Sequence, residues 1–236
     1  MAAVNLNNEQ VRGDSLGNGV LFRDYSIKTN EIDVHFRELE MRLVELIADH
    51  SWAAGNVAWL TSLPILDALS RLSRVSIIVQ KEDFLRPDKA SQHQLHKAYD
   101  KIRGSDRLEW PHINELSTST DQTMQAIRCV GNLNTEKKPA HPRAHNKFLV
   151  LGKYVSLPES DDDGVYKLGR DMVACCVWTG SFNFTYNATR SLENAVVIRQ
   201  SDVVGAYLAE WGQIAAISEP LDWFQPWVQP EWRIGT

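Results

Sequence analysis

Two short apolar runs limit the folds open to this chain more than any other feature. Phe148-Leu149-Val150-Leu151 is closed by Gly152, and Val173-Ala174-Cys175-Cys176-Val177-Trp178 leads into Thr179-Gly180. Each is too short for a core helix and is bounded by turn-forming residues, so each reads as a buried strand. Strand alternation at the head of the first run puts His145 and Lys147 on one face. Beyond the second run, Ser181 and Asn183 share a face if the chain stays extended. Laid side by side, the two strands bring imidazole, ammonium, hydroxyl and carboxamide to one spot.

The flanking sequence alternates strand and helix patterns. Ile32, Phe36, Leu39, Leu43, Leu46 and Ile47 recur at helical spacing and predict an amphipathic helix over roughly 31–50. Asn56 to Leu60 reads as a short strand. Leu63 to Leu72 reads as a helix, with Pro64 near its start, where no amide hydrogen is needed. Val75 to Val79 is a β-branched strand expected to end at Gln80-Lys81-Glu82-Asp83. A polar helix is expected over about 88–103 and another strand over Met124 to Val130. Ser201 is the expected N-cap of a last helix carrying Val204, Tyr207, Leu208, Trp211 and Ile214 on one stripe. This order predicts the α/β class, a mixed β-sheet sandwiched between helices.

Composition narrows the function classes. The 236 residues and an apolar fraction of 43% suit a globular chain able to bury a core. Residues 1–30 show no basic leader, and no stretch approaches a membrane span, so a cytoplasmic chain that does not engage a membrane is expected. Cys129, Cys175 and Cys176 are odd in number, two of them adjacent in a buried run, which predicts reduced core thiols. The formal charge is −5, yet six basic residues against one acid lie between Arg128 and Lys153. Lys137, Lys138 and Arg143 belong to this run and are candidate contacts to a polyanionic substrate.

His145-Asn146-Lys147, then Gly180-Ser181-Phe182-Asn183-Phe184-Thr185, then Ser191-Leu192-Glu193-Asn194 resemble the signature of the phospholipase D superfamily: His-x-Lys, Gly-Ser-x-Asn and a downstream Glu. The stretch 179–198 is especially similar to the small bacterial branch of metal-independent nucleases. The resemblance spans about residues 31–216 in element order and is specific over 145–151 and 179–198. Two departures stand out. Gly152 occupies the place where the family pattern usually has Asp, and the gap between the motif halves is long, which reads as an insertion at 153–171. The expected layout is an N-terminal extension 1–30, a phospholipase D-like catalytic domain 31–216 with one motif copy, and a Trp/Pro-rich tail 217–236.

The resemblance implies a mechanism without metal or cofactor. Neutral His145 attacks phosphorus and forms a phosphohistidine that water hydrolyses. Lys147, Ser181 and Asn183 hold the non-bridging oxygens, and Glu193 orients His145 through its other ring nitrogen. A second, protonated histidine must release the alcohol, and no second motif copy exists. Relatives with one copy pair two chains, so a homodimer is implied. Nucleic acid is the expected substrate, DNA ahead of RNA, and the family's usual company adds a helicase or defence-system partner. Two other readings belong beside this one: a phospholipid phosphodiesterase or transphosphatidylase, and a non-catalytic nucleic-acid-binding subunit of a larger defence or repair assembly.

Three further features take the plainer reading. The acidic run Glu159 to Asp163 lacks the spacing of a calcium loop and reads as an exposed hairpin tip on the rim of the site. His93 and His96 read as surface histidines, and Trp223, Trp227 and Trp232 as a tail docked on its own domain or on a neighbouring subunit.

Overall fold

The computed structural model describes residues 6, 23–86, 93–106, 110, 123–134, 142–160 and 166–221. Their order is β1 (Ile27–Lys28), β2 (Ile32–His35), α1 (Leu39–Ala48), β3 (Trp52–Val57), α2 (Leu63–Ser70), β4 (Arg74–Glu82), α3 (His93–Tyr99), β5 (Ser105–Asp106), β6 (Thr123–Met124), β7 (Ile127–Asn134), β8 (Lys147–Ser160), β9 (Tyr166–Gly180), β10 (Ala195–Ile198), α4 (Ser201–Ala216) and β11 (Glu219–Pro220). Nine strands form one mixed sheet in the order β1-β2-β10-β9-β8-β3-β4-β7-β11, while β5 and β6 pair separately. The neighbours β3, β4 and β7 run parallel. The strands β1 and β11 lie just outside 31–216 yet pair into the same sheet.

Both faces of the sheet are covered, as continuous apolar strands require. Ala53, Val57, Ile77, Leu149, Leu151 and Trp178 face α1, α2 and α3 through Leu43, Ile47, Ile65, Leu69 and Leu95. Ala54, Ile78, Val150 and Val177 face α4 through Val204, Leu208, Trp211 and Ala215. The helix α2 starts as its sequence dictates: Ser62 Oγ accepts from the Ile65 amide, and Pro64 follows in the first turn.

Several expected boundaries move. The helix expected over 31–50 begins only at Leu39. Its first part is β2, which pairs antiparallel with β10, and Glu38 at φ 56 breaks the chain between them. Asp33, Val34 and His35 find partners in the sheet that an isolated helical pattern does not reveal. The strand expected at 56–60 sits earlier, at Trp52–Val57. The strand β4 runs on through Gln80-Lys81-Glu82 because these polar side chains are buried with partners: Lys81 pairs with Glu219, and Gln80 Nε2 donates to Asn132 O at 2.6 Å. The expected strand at 124–130 is divided between β6 and β7. Gln200, not Ser201, occupies the cap position of α4.

The insertion 153–171 is also relocated. It prolongs β8 and β9 as a two-stranded ribbon whose register runs from Phe148↔Thr179 to Ser160↔Tyr166. Ser160 lies thirteen positions beyond Lys147, roughly 40 Å at the rise of a strand. The ribbon therefore leads away from the motif and is not its rim. Asp161 to Asp163 lie outside the described residues, as do Trp223, Trp227 and Trp232. Cys129 and Cys176 are buried thiols and Cys175 is half-buried, all three free.

Candidate active site

Antiparallel pairing of β8 with β9 unites the two halves of the motif. Phe148 lies opposite Thr179, so Lys147, at the start of β8, meets Gly180, at the end of β9. Gly180 in turn faces Ala195 of β10, and a Cβ at Gly180 would lie 2.3 Å from Asn194 O. Only glycine lets the third strand approach this closely. Past Gly180 the chain keeps its alternation: Phe182 and Phe184 are buried in the core, while Ser181 is exposed and Asn183 half-buried. The amides of Thr61 and Ser62 both bond Phe184 O, which pins this loop to the β3–α2 connection. The parallel strands β3 and β4 end at the same edge of the sheet, where irregular segments gather functional side chains.

His145 is exposed on the segment leading into β8, and Lys147 is 9% exposed. Lys147 Nζ lies 3.3 Å from both ring nitrogens of His145 and donates to the His145 carbonyl at 2.9 Å. An ammonium has hydrogens only to give, and a protonated ring would offer it only further donors, so the contact disfavours the imidazolium. Partial burial, then the Lys147 and Arg143 charges, hold the His145 pKa below its ordinary range. Burial also lowers the pKa of Lys147; the Glu193 carboxylate opposes that shift and Arg143 adds to it. The arrangement thus favours a neutral imidazole beside a cation.

Sequence reasoning missed two residues here. Trp59 lies edge-on to His145, with ring centroids 5.6 Å apart, and its ring centre is 5.9 Å from Lys147 Nζ. Its Nε1 donates to Glu82 Oε1 at 2.7 Å, and Asn134 Nδ2 donates to the same oxygen at 2.7 Å. Burial raises the Glu82 pKa, against the pull of these two bonds. The available signal was position: Trp59 follows β3 and Glu82 ends β4, the neighbouring parallel strand, on the edge that carries the motif.

Glu193 departs from expectation. Its carboxylate accepts from Ser181 Oγ, which itself accepts from the Asn194 amide at 3.1 Å, and no hydrogen bond joins it to His145. The cause is strand order. Because β9 lies between β8 and β10, Glu193 reaches Ser181 before it reaches His145, and its field extends to Lys147. Asn183 Oδ1 is buried and lacks a hydrogen-bond partner among the described residues. Arg143 stands half-buried beside the site, whereas Lys137 and Lys138 lie outside the described residues. Arg128, part of the basic run, is not a surface charge: it is buried, and its guanidinium binds Ser218 Oγ and O.

No family model matches the chain. A mimivirus protein, the uncharacterized protein L381 of Acanthamoeba polyphaga mimivirus, is 27% identical over 199 residues, which cover 84% of this chain and 69% of that one. Among solved structures, the fold is similar to Nuc, a phospholipase D family member from Salmonella typhimurium, at 18% identity and TM-score 0.46, covering 80% of this chain and 95% of that one. It is also similar to NucT from Helicobacter pylori, at 12% identity and TM-score 0.45, covering 80% and 98%. A third similar structure is TrmBL2, an archaeal chromatin protein, at 12% identity and TM-score 0.38, covering 81% and 54%.

Proposed function

We propose that this chain is a phospholipase D-like phosphodiesterase that cuts nucleic acid, DNA ahead of RNA, without a metal ion. The observation that carries this reading is the meeting of His145, Lys147, Ser181 and Asn183 at one end of β8 and β9, with the His145 ring held against the Lys147 ammonium. That pairing supplies a nucleophile and an electrostatic clamp for one phosphodiester.

In the proposed first step a ring nitrogen of His145 forms a bond to phosphorus as the bond from phosphorus to the leaving oxygen breaks. Lys147 turns from the imidazole to a non-bridging oxygen. Asn183 aids from the opposite strand, donating from Nδ2 to a non-bridging oxygen. The leaving oxygen takes a proton from a second histidine. Water then attacks phosphorus, gives a proton back to that second histidine, and frees His145. A single motif copy supplies one histidine per chain, so the second is assigned to His145 of a second copy in a homodimer. Glu193 is assigned a positioning part: it holds Ser181 and the start of β10 against β9, and its field supports the charge on Lys147. Direct orientation of His145 by Glu193 would require the carboxylate to leave Ser181. Arg143 is assigned to a flanking phosphate, with Lys137 and Lys138 as further phosphate contacts, and a helicase or defence-system protein as a partner that delivers substrate. A cytoplasmic site of action completes the proposal. No helix among the described residues is long and apolar enough to cross a membrane.

Plasmid DNA incubated with the protein in excess EDTA should be nicked and linearised at the rate seen without chelator. Complete loss of cleavage in EDTA would overturn the metal-free scheme, and turnover of phosphatidylcholine vesicles with none of DNA would favour the lipid reading.

The pH profile gives a second test. The nucleophile must be neutral, and Arg143 helps hold the His145 pKa below its ordinary value. Activity should therefore rise with pH on an acid limb set by the depressed pKa, then fall as the acid histidine loses its proton. Arg143→Ala removes a positive charge, lets the His145 pKa climb, and should move the acid limb of kcat/KM to higher pH. A limb that stays in place, or a flat wild-type profile across about pH 5 to 9, contradicts these roles.

A further inference from the structure

Beside the site, on the α4 face of the sheet, lies a cavity of about 430 Å³ to which the proposed mechanism gives no role. It is lined by Asn56 and Val130 of the sheet, by Glu210 and Ile214 of α4 with Ile217 just after it, and by Arg143, Ala144 and Asn146 ahead of β8. His145 sits between Ala144 and Asn146 in sequence, so the segment carrying the proposed nucleophile is also one lip of the cavity. Asn56 is fully buried, its Nδ2 donates to Ile78 O at 2.8 Å, and its Oδ1 has no hydrogen-bond partner among the described residues. A buried amide oxygen without an internal partner calls for a donor from outside, and this one lines the cavity.

The chemistry of the lining selects the occupant. Ile214, Ile217, Val130 and Pro142 offer apolar surface to a flat ring, while Asn56, Asn146 and Glu210 are polar groups set among them. Arg143 lines this cavity and also acts electrostatically on His145 and Lys147, so a phosphate held at the catalytic residues and a group in the cavity would share that arginine. A pocket of a few hundred Å³ with an apolar body and a few convergent polar groups fits a small heteroaromatic molecule. We propose that the cavity binds one nucleobase of the substrate strand, next to the phosphate that is cut. Glu210 is exposed and carries only acceptors when ionised, so it favours a base edge rich in N–H donors, above all the N1–H and N2–H₂ pair of guanine. The chain thereby gains a base preference at one position beside the cut. This inference rests on the nucleic-acid reading above.

The test uses the full-length protein and three probes that are not phosphodiesters: dGMP, dTMP and deoxyribose 5-phosphate, titrated by calorimetry. Insertion of a base should tighten dGMP about tenfold over the sugar phosphate, the scale of burying one ring against aliphatic side chains. Ile217→Trp, at an exposed position on the cavity wall, should erase that advantage and leave deoxyribose 5-phosphate binding unchanged. Glu210→Gln, also exposed, should shrink the margin of dGMP over dTMP and spare the apolar contribution. Equal affinities for dGMP and the sugar phosphate in the wild type overturn the pocket, as does an advantage that survives Ile217→Trp. The two proposals fail separately: a dGMP advantage without DNA cleavage keeps the pocket and removes the nuclease, whereas cleavage with no base advantage does the reverse.

Discussion

His145→Ala should lower phosphodiester cleavage by at least about 10⁴-fold, because removing the nucleophile of a covalent mechanism leaves only binding and electrostatic catalysis. The fold should survive, since His145 is exposed and its ring contacts among the described residues are with Trp59 and Lys147. Circular dichroism and thermal melting should therefore match the wild type while a plasmid gel shows intact substrate. The same variant tests the paired site. If each site uses two copies of His145, a mixed dimer lacks either the nucleophile or the acid. Excess His145→Ala added to wild type, with time for subunit exchange, should suppress activity beyond simple dilution. A variant that retains a tenth of the wild-type rate would remove His145 from the centre of the reaction. Suppression no greater than dilution would remove the shared dimeric site.

Gly152→Asp, which restores the residue most common in the resembling family, should destabilise the protein by about 4 kcal/mol or more, although a family pattern would suggest a gain. A Cβ at this position would stand 2.1 Å from Trp52 Cζ2 and 2.4 Å from Val173 O. The Trp52 indole is fully buried, lies edge-on to Trp110 at 5.9 Å, and donates from Nε1 to Lys153 O at 3.3 Å. It cannot withdraw without opening the α4 face of the core. A carboxylate forced in here must also be desolvated without a built partner. For a chain of this length such a loss lowers the melting temperature by roughly 10 °C or more, readable by calorimetry. A melting temperature within about 3 °C of wild type would show that the ring gives way cheaply. Position 152 is five residues along β8 from Lys147, roughly 16 Å at the rise of a strand. Gly152 therefore makes room for Trp52.

Much of the fold was legible because its signals are local. The runs at 148–151 and 173–178 are strands, the stripe from Val204 to Ile214 lies on a helix, and Ser62 with Pro64 starts another. Each depends on neighbours a few residues away, where side-chain periodicity and capping act. The His-x-Lys and Gly-Ser-x-Asn motifs were legible too, since each sits at the end of one of those strands. Elements that depend on distant partners were not. Ile32 to His35 satisfy a helical pattern and still form a strand, because β10, more than 150 residues later, offers an open edge. Lys81 and Arg128 look like solvent-facing charges and are buried, because Glu219 and Ser218 return beside them at the end of the described chain.

The candidate site divides along the same line. By itself the sequence determined which groups exist and which share a face: a histidine and a lysine two apart at a strand start, a serine and an asparagine two apart at a strand end. Tertiary structure alone decided that β9 separates Glu193 from His145, that Trp59, held by Glu82, lies edge-on to the imidazole, and that Asn56 Oδ1, without a partner among the described residues, lines a nearby cavity. Alternation is a property of one strand, whereas strand order, edge position and cavity shape come from contacts between segments far apart in the chain, whose pairing is fixed only when the whole sheet assembles.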